Sequence, residues 1–455
     1  MFKAPGKVLG AVLGQNVESK IAFEARKGED AMKRIIQLVL ALFCALGLVF
    51  MLGGCAKKTT AKQIKIGHLT YHTGMFGHVG PQFDGAANFT LDFVKKNPPL
   101  GGEIIIIHQD VGTMGEGQGA RKLVDSEKVD VLLNVAGEYM SYRDWLLKYI
   151  KDNKRPILPS VHAGAIDRKY GGTVEEPIFR GAPMDSDQGL VTAIQAQAAG
   201  AKTVVVMAVE NDGMQMQQDF AARAAEALGM KVLDQIDFQP EQTSYRSIVS
   251  KAQALNPDAL LIFCAAEDGG TIVKNAAELG MSAIIVGATD WLFVEFPKTA
   301  TMSAIKKHKL VRAVGFTYAE GPAWDFYKKA WEGNPEYAKL NDASNSYTLQ
   351  YYDLLNVTML AIKKAGSVGI EPWVKAMREV SMGPGKKVYT YKEGFDALEK
   401  GEAIDYDGVT GEFNYTETGV VGGIYGVFEW KDTATLARTN VIEGKVILDL
   451  AGKMK

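Results

Sequence analysis

Two kinds of residue in this chain could do chemistry, a cysteine that ends an apolar run and a group of histidines. Lys33 and Arg34 precede the uncharged run Ile35 to Leu52, which stops at Leu52-Gly53-Gly54-Cys55 before the polar stretch Lys57-Lys58-Thr59-Thr60. A basic start followed by an apolar stretch is the pattern of an export signal. Five of the six histidines, His68, His72, His78, His108 and His162, fall in the first part of the chain. Histidine is a ready metal ligand, but His68-x-x-x-His72 sits at a strand–loop junction, where helical i,i+4 geometry does not apply. No metal site is assigned from that spacing. Gly112-x-x-Gly115-x-Gly117-x-Gly119 lacks the spacing of a dinucleotide fingerprint. A Gly-x-Ser-x-Gly elbow, a metalloprotease helix motif and a phosphate loop are all missing. The sequence therefore assigns no catalytic residue and no cofactor.

The elements that would position such residues follow from periodicity. Short apolar runs, Ile64–Leu69, Ile104–Gln109, Val129–Val135, Thr203–Val209, Ala259–Cys264 and Ile284–Gly287, alternate with amphipathic stretches. Near-continuous aliphatic composition is what strands buried on both faces need. Between them Phe83, Ala87, Leu91 and Val94 share a helical face, and the alanine-rich stretch Asp219 to Leu228 stops at Gly229. Alternation of this kind builds parallel sheets from βαβ units. A single open sheet cannot absorb a chain of this length, so the pattern predicts an α/β fold of two doubly wound parallel-sheet lobes. Ligands of such lobes bind beyond the carboxyl ends of the strands. Lysine and arginine number 51 against 53 acids, with no long basic run, which excludes a nucleic-acid footprint.

The segment Leu52 to Cys55 resembles the lipobox of bacterial lipoproteins: a large aliphatic residue, two small ones, then the cysteine. The resemblance implies cleavage just before Cys55 and diacylation of its thiol, and two or more acyl chains give stable anchoring. The competing reading is a transmembrane helix with an incidental cysteine, for which a run of about 18 residues stands at the lower limit. Residues 32–54 then form the signal peptide and 55–61 a lipidated tether. Residues 1–31 do not fit a signal. Met32 is a natural start, and Lys27-Gly28-Glu29 can be encoded by a purine-rich stretch resembling a ribosome-binding site, so 1–31 is expected to be untranslated or an extra N-terminal extension. Cys44 leaves with the signal and Cys55 carries lipid, so Cys264 remains alone among apolar neighbours as a buried structural thiol.

The body resembles the branched-chain amino-acid-binding family of periplasmic proteins, the type I solute-binding fold. The resemblance rests on Ile64-Lys65-Ile66-Gly67, Thr73-Gly74, Asp84-Gly85-Ala86, Ala120-Arg121-Lys122-Leu123-Val124, Arg180 through Gly189, and Ile404 through Gly411 with Phe413. It implies three hinge crossings, expected near Gly181–Met184, Leu310–Val314 and Ile404–Gly411. Lobe 1 is then 62–182 with 315–403, and lobe 2 is 183–314 with 404–450. It also implies the function: capture of an amino acid or similar small polar or carboxylate-bearing solute by lobe closure. A monomer anchored on the periplasmic or extracellular face would deliver that solute to ABC permease subunits. A ligand-sensing module that presents the solute to a receptor is the alternative, and an α/β hydrolase is disfavoured because no nucleophile and base are recognisable.

The family holds a carboxylate with lobe 1 amides and hydroxyls, and an ammonium with an acid and aromatics of lobe 2. Ser141, after the strand Val129–Val135, matches the carboxylate-binding serine, with Tyr142 beside it; a plain N-cap is the other reading. Ser160-Val161-His162-Ala163-Gly164 matches the loop whose amides and threonine bind carboxylate, with Gly164 in the threonine's place and His162 a candidate replacement. His162 is otherwise a solvated loop residue. Asp212 stands where the family has a stacking tyrosine. Asp290 is near the ammonium-binding acid, and Trp291 is a candidate cleft wall; for both, a supporting role behind the site is the other reading. These departures put leucine-type ligands in doubt, and two or more acids in the cleft suit a solute with a positive group or one rich in hydroxyls and amides.

Overall fold

The computed structural model describes residues 62–454 apart from 136, 163, 165, 167 and 168. The apolar run Ile35 to Leu52, Cys55 and everything before them lie outside the described residues, as does Ala163. Among the described residues no helix is long and apolar enough to cross a membrane.

In the first lobe β1 (Lys62–Thr70) pairs in parallel with β2 (Gly101–Asp110) on one side and β3 (Val131–Leu133) on the other. Next comes β4 (Leu158–Ser160), joined to β3 by Leu132 N–H donating to Ile157 O at 3.0 Å and Asn134 N–H donating to Pro159 O at 2.9 Å. β5 (Ile178–Arg180) pairs in parallel with β4. The order β2-β1-β3-β4-β5 reverses direction at β1, the place where a doubly wound sheet opens its crevice. The second lobe is built on β6 (Thr203–Val209), β7 (Lys231–Phe238), β8 (Ala259–Phe263), β9 (Ile284–Gly287) and β10 (Leu310–Phe316), all parallel in the order β10-β9-β8-β6-β7. Every residue of β8 and of β9 is buried, which is why these segments read as unbroken apolar runs rather than alternating ones. Cys264, directly after β8, is free and buried, and burial pushes its thiol well above the ordinary range.

The crossings differ from expectation in two places. β10 stays paired as far as Phe316, so the second crossing follows that residue instead of falling within Leu310–Val314. The third comes later still. β11 (Lys386–Val388), β12 (Ile404–Gly408) and β13 (Gly411–Glu412) form their own small sheet. The buried carboxylate of Asp353, on the helix Ser346–Ala365, accepts from Val409 N–H at 2.9 Å, from Thr410 N–H at 2.8 Å and from the Tyr406 hydroxyl at 2.9 Å. These bonds tie Ile404–Gly411 to a helix that packs chiefly on the first-lobe helix Gly80–Val94. The chain enters the large sheet only at β14 (Tyr425–Trp430), antiparallel to β10, and closes its edge with β15 (Leu436–Ile442).

Candidate functional site

The strand ends of both lobes meet at a cavity of about 110 Å³, space for a small molecule and not for a peptide. Its second-lobe wall carries two carboxyl groups. Asp185 is the first residue of the helix Asp185–Ala198, which starts as the chain leaves the first crossing. Asp290 lies in the short turn Thr289–Leu292 after β9. That turn is pinned: the Thr289 hydroxyl donates to Gln188 Oε1 at 2.7 Å, and Gln188 Nε2 donates to Val314 O at 2.9 Å.

Burial pushes Asp290 up to about 7. Burial, and next the charge of Asp290, push Asp185 up to about 8. Near neutral pH the two share protons, because two carboxylates facing one poorly solvated space repel. Gln217 joins them, its Nε2 donating to Asp185 Oδ1 at 3.3 Å while its Oε1 has no partner. Gly213 keeps the wall thin, since a Cβ there would come 3.0 Å from Asp185 Oδ2.

The first-lobe wall is aromatic. The turn after β4 is held by the Ser160 hydroxyl, 2.7 Å from Val135 O and 2.8 Å from His162 O. Gly164 adopts φ +58 there, a left-handed conformation that glycine takes at no steric cost. The His162 ring packs 5.1 Å from Phe83 and 4.9 Å from Tyr347. Burial lowers its pKa to about 4, so it is a neutral imidazole at pH 7, and its Nε2 has no partner. Tyr347, in the first turn of Ser346–Ala365, stacks on Phe293 of the second lobe at 5.7 Å and 11°.

Of the residues singled out by sequence, His162, Gly164 and Asp290 line this cavity. Ser141 does not: it is exposed, and its hydroxyl donates to Glu138 O at 2.8 Å in its own first helical turn. Tyr142 is buried in the first lobe against Tyr139, with ring centroids 5.8 Å apart. The helix begins at Tyr139, so Gly137, just before it, is the residue of that segment that reaches the cavity. Asp212 is exposed at the first position of the helix Asp212–Ala227, while Asn211 and Gly213 on either side face inward. Trp291 is wholly buried and stacks on Phe296 at 4.4 Å and 18°. It fills a slot left by Gly269 and Gly287, whose missing side chains would collide with its indole, so it belongs to the second-lobe core.

Asp185, Gln217 and Tyr347 line the cavity without having been singled out by sequence. Asp185 carried a signal, an acid two residues after the Pro183 that brackets the first crossing. Gln217 and Tyr347 are polar or aromatic residues of helical segments and carried none. An acid pair, a neutral imidazole and aromatic faces can hold a solute that donates hydrogen bonds or bears positive charge. Among the described residues, the cavity lining contains no serine, cysteine or lysine.

The family described as periplasmic binding protein matches residues 63–433. No curated protein matches by sequence comparison. Among solved structures, a leucine-binding protein from Thermotoga maritima aligns with a TM-score of 0.69 at 18% identity, over 84% of this chain and 99% of that one. A branched-chain amino acid transporter substrate-binding protein from Streptococcus pneumoniae, in complex with isoleucine, aligns at 0.66 and 18%, over 84% and 99%. A solute-binding protein from R. palustris, in complex with 4-hydroxybenzoate, aligns at 0.64 and 14%, over 84% and 97%. With the family match running through both lobes and the cavity between them, this chain belongs to the periplasmic binding protein family, whose members bind their solutes outside the cytoplasm.

Proposed function

We propose that this chain captures an amino acid, or a related small solute bearing an amine, and delivers it to an ABC importer. The observation that carries the reading is the acid pair Asp185 and Asp290 on one cavity wall. A protonated amine between them would favour the ionised form of both and replace the water they lack. Phe83 and Tyr347 offer ring faces to the same cation or to an apolar body. On the opposite lobe, neutral His162 and the backbone at Gly137 and Gly164 are candidate partners for the solute's polar far end.

Amino acids and aromatic acids, the ligands named for the relatives, set the size class. The second acid favours an amine over an anion without one, because an amine lets both carboxyls ionise whereas an anion would hold them protonated. Ligand that touches both walls favours the closed arrangement only through contacts made there. A lipid on Cys55 would hold the protein beside its permease and raise the effective concentration of the pair.

Thermal unfolding against a panel of amino acids, amines, aromatic acids and polyols tests the ligand class, since binding to the folded state raises the midpoint. The largest rise should come from an amine-bearing solute. A rise confined to amine-free acids would overturn the role given to the acid pair.

A further inference from the structure

The pairing of β1 with β2 sets His68 directly beside His108 as register partners, and the helix Gly80–Val94 hangs Asp84 over the same strands. Three donor atoms converge. His68 Nδ1 and His108 Nδ1 are 2.9 Å apart, and Asp84 Oδ1 lies 3.1 Å from His108 Nδ1 and 3.5 Å from His68 Nδ1. We propose that His68, His108 and Asp84 form a binding site for one divalent transition-metal ion, with zinc the best match to the donor set.

The distances admit an ion in place of a purely hydrogen-bonded cluster. The circle through the three atoms has a radius of about 1.8 Å, less than a zinc–ligand bond of about 2.0–2.1 Å, so a point exists at bonding distance from all three without moving any of them. Asp84 Oδ1 is buried and receives no well-aligned hydrogen bond. A buried carboxylate oxygen beside two ring nitrogens is the kind of group that an ion satisfies.

The surroundings hold the donors in place. His68 Nε2 is 2.7 Å from the buried Tyr351 hydroxyl; with Nε2–H donating to that oxygen, Nδ1 keeps its lone pair for a metal. His72 Nε2 is 2.8 Å from Asp84 Oδ2, which leaves Oδ1 turned to the ring nitrogens. Side-chain exposure of 23% at His108 and 37% at His72 leaves one approach open, for an ion to enter and a water to take the fourth position. Two imidazoles and one carboxylate suit zinc, copper or nickel, while calcium and magnesium would want more oxygens.

The purified full chain, free of any histidine tag and stripped with a chelator, would be titrated with zinc in competition with a chromophoric chelator. The site predicts one ion per chain, a higher unfolding midpoint with zinc, and X-ray absorption showing two imidazoles and one carboxylate on the ion. His108→Gln, on a partly exposed strand position, and Asp84→Asn should each weaken binding by about tenfold or more and reduce the midpoint shift at a given zinc concentration accordingly. Absence of zinc binding by the wild-type chain, a coordination shell without two imidazoles, or an affinity unchanged in folded His108→Gln would each overturn the site. The spectroscopic arm needs only the wild-type chain, so it stands even where a variant fails to fold.

Discussion

The Tyr347 hydroxyl lies 3.5 Å from Asp290 Oδ1. Through that approach the first turn of the helix Ser346–Ala365 touches the acid carried by the turn after β9 of the other lobe. The same tyrosine packs on His162 and Phe83, so one ring belongs to both walls of the cavity. Any opening of the lobes must break either its stack on Phe293 or its packing on the first lobe. An amine that bridges Asp290 and the aromatic faces would oppose that break.

Asp290→Asn keeps the shape of the wall and removes its charge. Hydrogen bonds to charged groups contribute about 1.5–3 kcal/mol, so affinity for an amine-bearing solute should fall by about tenfold or more. The ligand-free variant should unfold at no lower temperature at pH 8, because burial opposes ionisation of this carboxyl. Calorimetric titration and thermal unfolding read the two effects. Equal affinity in the two proteins would remove Asp290 from the site.

The acid pair also fixes a pH dependence. Folded values of about 8 for Asp185 and about 7 for Asp290 stand above the free aspartate value of about 3.9. Without ligand, the folded state therefore holds protons that the unfolded chain has released. The stability these groups contribute is fully present below about pH 4 and is lost as pH rises toward 7 and 8. For an amine-bearing solute the sign reverses, because binding needs the ionised pair. Affinity should rise with pH, flatten above about 8, and release protons at pH 7. Calorimetry in two buffers of different ionisation enthalpy measures that release; a flat affinity from about pH 5.5 to 8.5 would count against the acid pair.

How much of this was legible follows from what periodicity can carry. Parallel strands buried on both faces announce themselves, and the run Ala259–Cys264 became β8 almost to the residue. Helix starts do not. Asn211, Asp212 and Gly213 are consecutive, and only the backbone path decides that Asn211 turns its oxygen back onto Gly213 and Met214 as a cap while Asp212 points to solvent. Trp291 follows a strand as a cleft aromatic would, and the slot that buries it is made by Gly269 and Gly287, distant and neighbouring residues that a linear pattern does not connect. His68 and His108 meet through strand register, which spacing along the chain cannot show.

Substitutions at the residues that fall outside the cavity should separate these readings. Asp212→Ala and Ser141→Ala sit on the surface, where changes are usually within about 0.5 kcal/mol, and both should leave solute affinity unchanged. Gln217→Ala should weaken binding several-fold, since it removes a buried amide that touches Asp185. Titration of the three variants with the best solute checks this ordering; a strong loss in Ser141→Ala would return the carboxylate site to that helix start.

The proposed lipid anchor rests on the lipobox reading of Cys55. Cys55→Ala should abolish incorporation of labelled fatty acid and leave an uncleaved, heavier precursor in whole cells. Mass spectrometry of the mature wild-type protein should find acylated Cys55 as its first residue. Labelling that persists in Cys55→Ala would discard the lipobox reading and leave the folded body untouched by the change.

Trp291 offers the sharpest test of core against cleft. A Cβ on Gly287 would come 2.1 Å from the indole Cδ2, and one on Gly269 would come 2.2 Å from its Nε1. Neither the ring nor the backbone can yield that distance without repacking against Phe296. Gly287→Ala should therefore cost about 1–3 kcal/mol, as overpacking of a filled core does, read as a lower denaturant midpoint. Trp291→Leu vacates the slot, so in the double variant the alanine should cost less, with a coupling of about 1 kcal/mol or more. Were the indole a wall of the cleft, Gly287→Ala would change solute affinity and leave the midpoint where it was, and the two substitutions would show no coupling in stability.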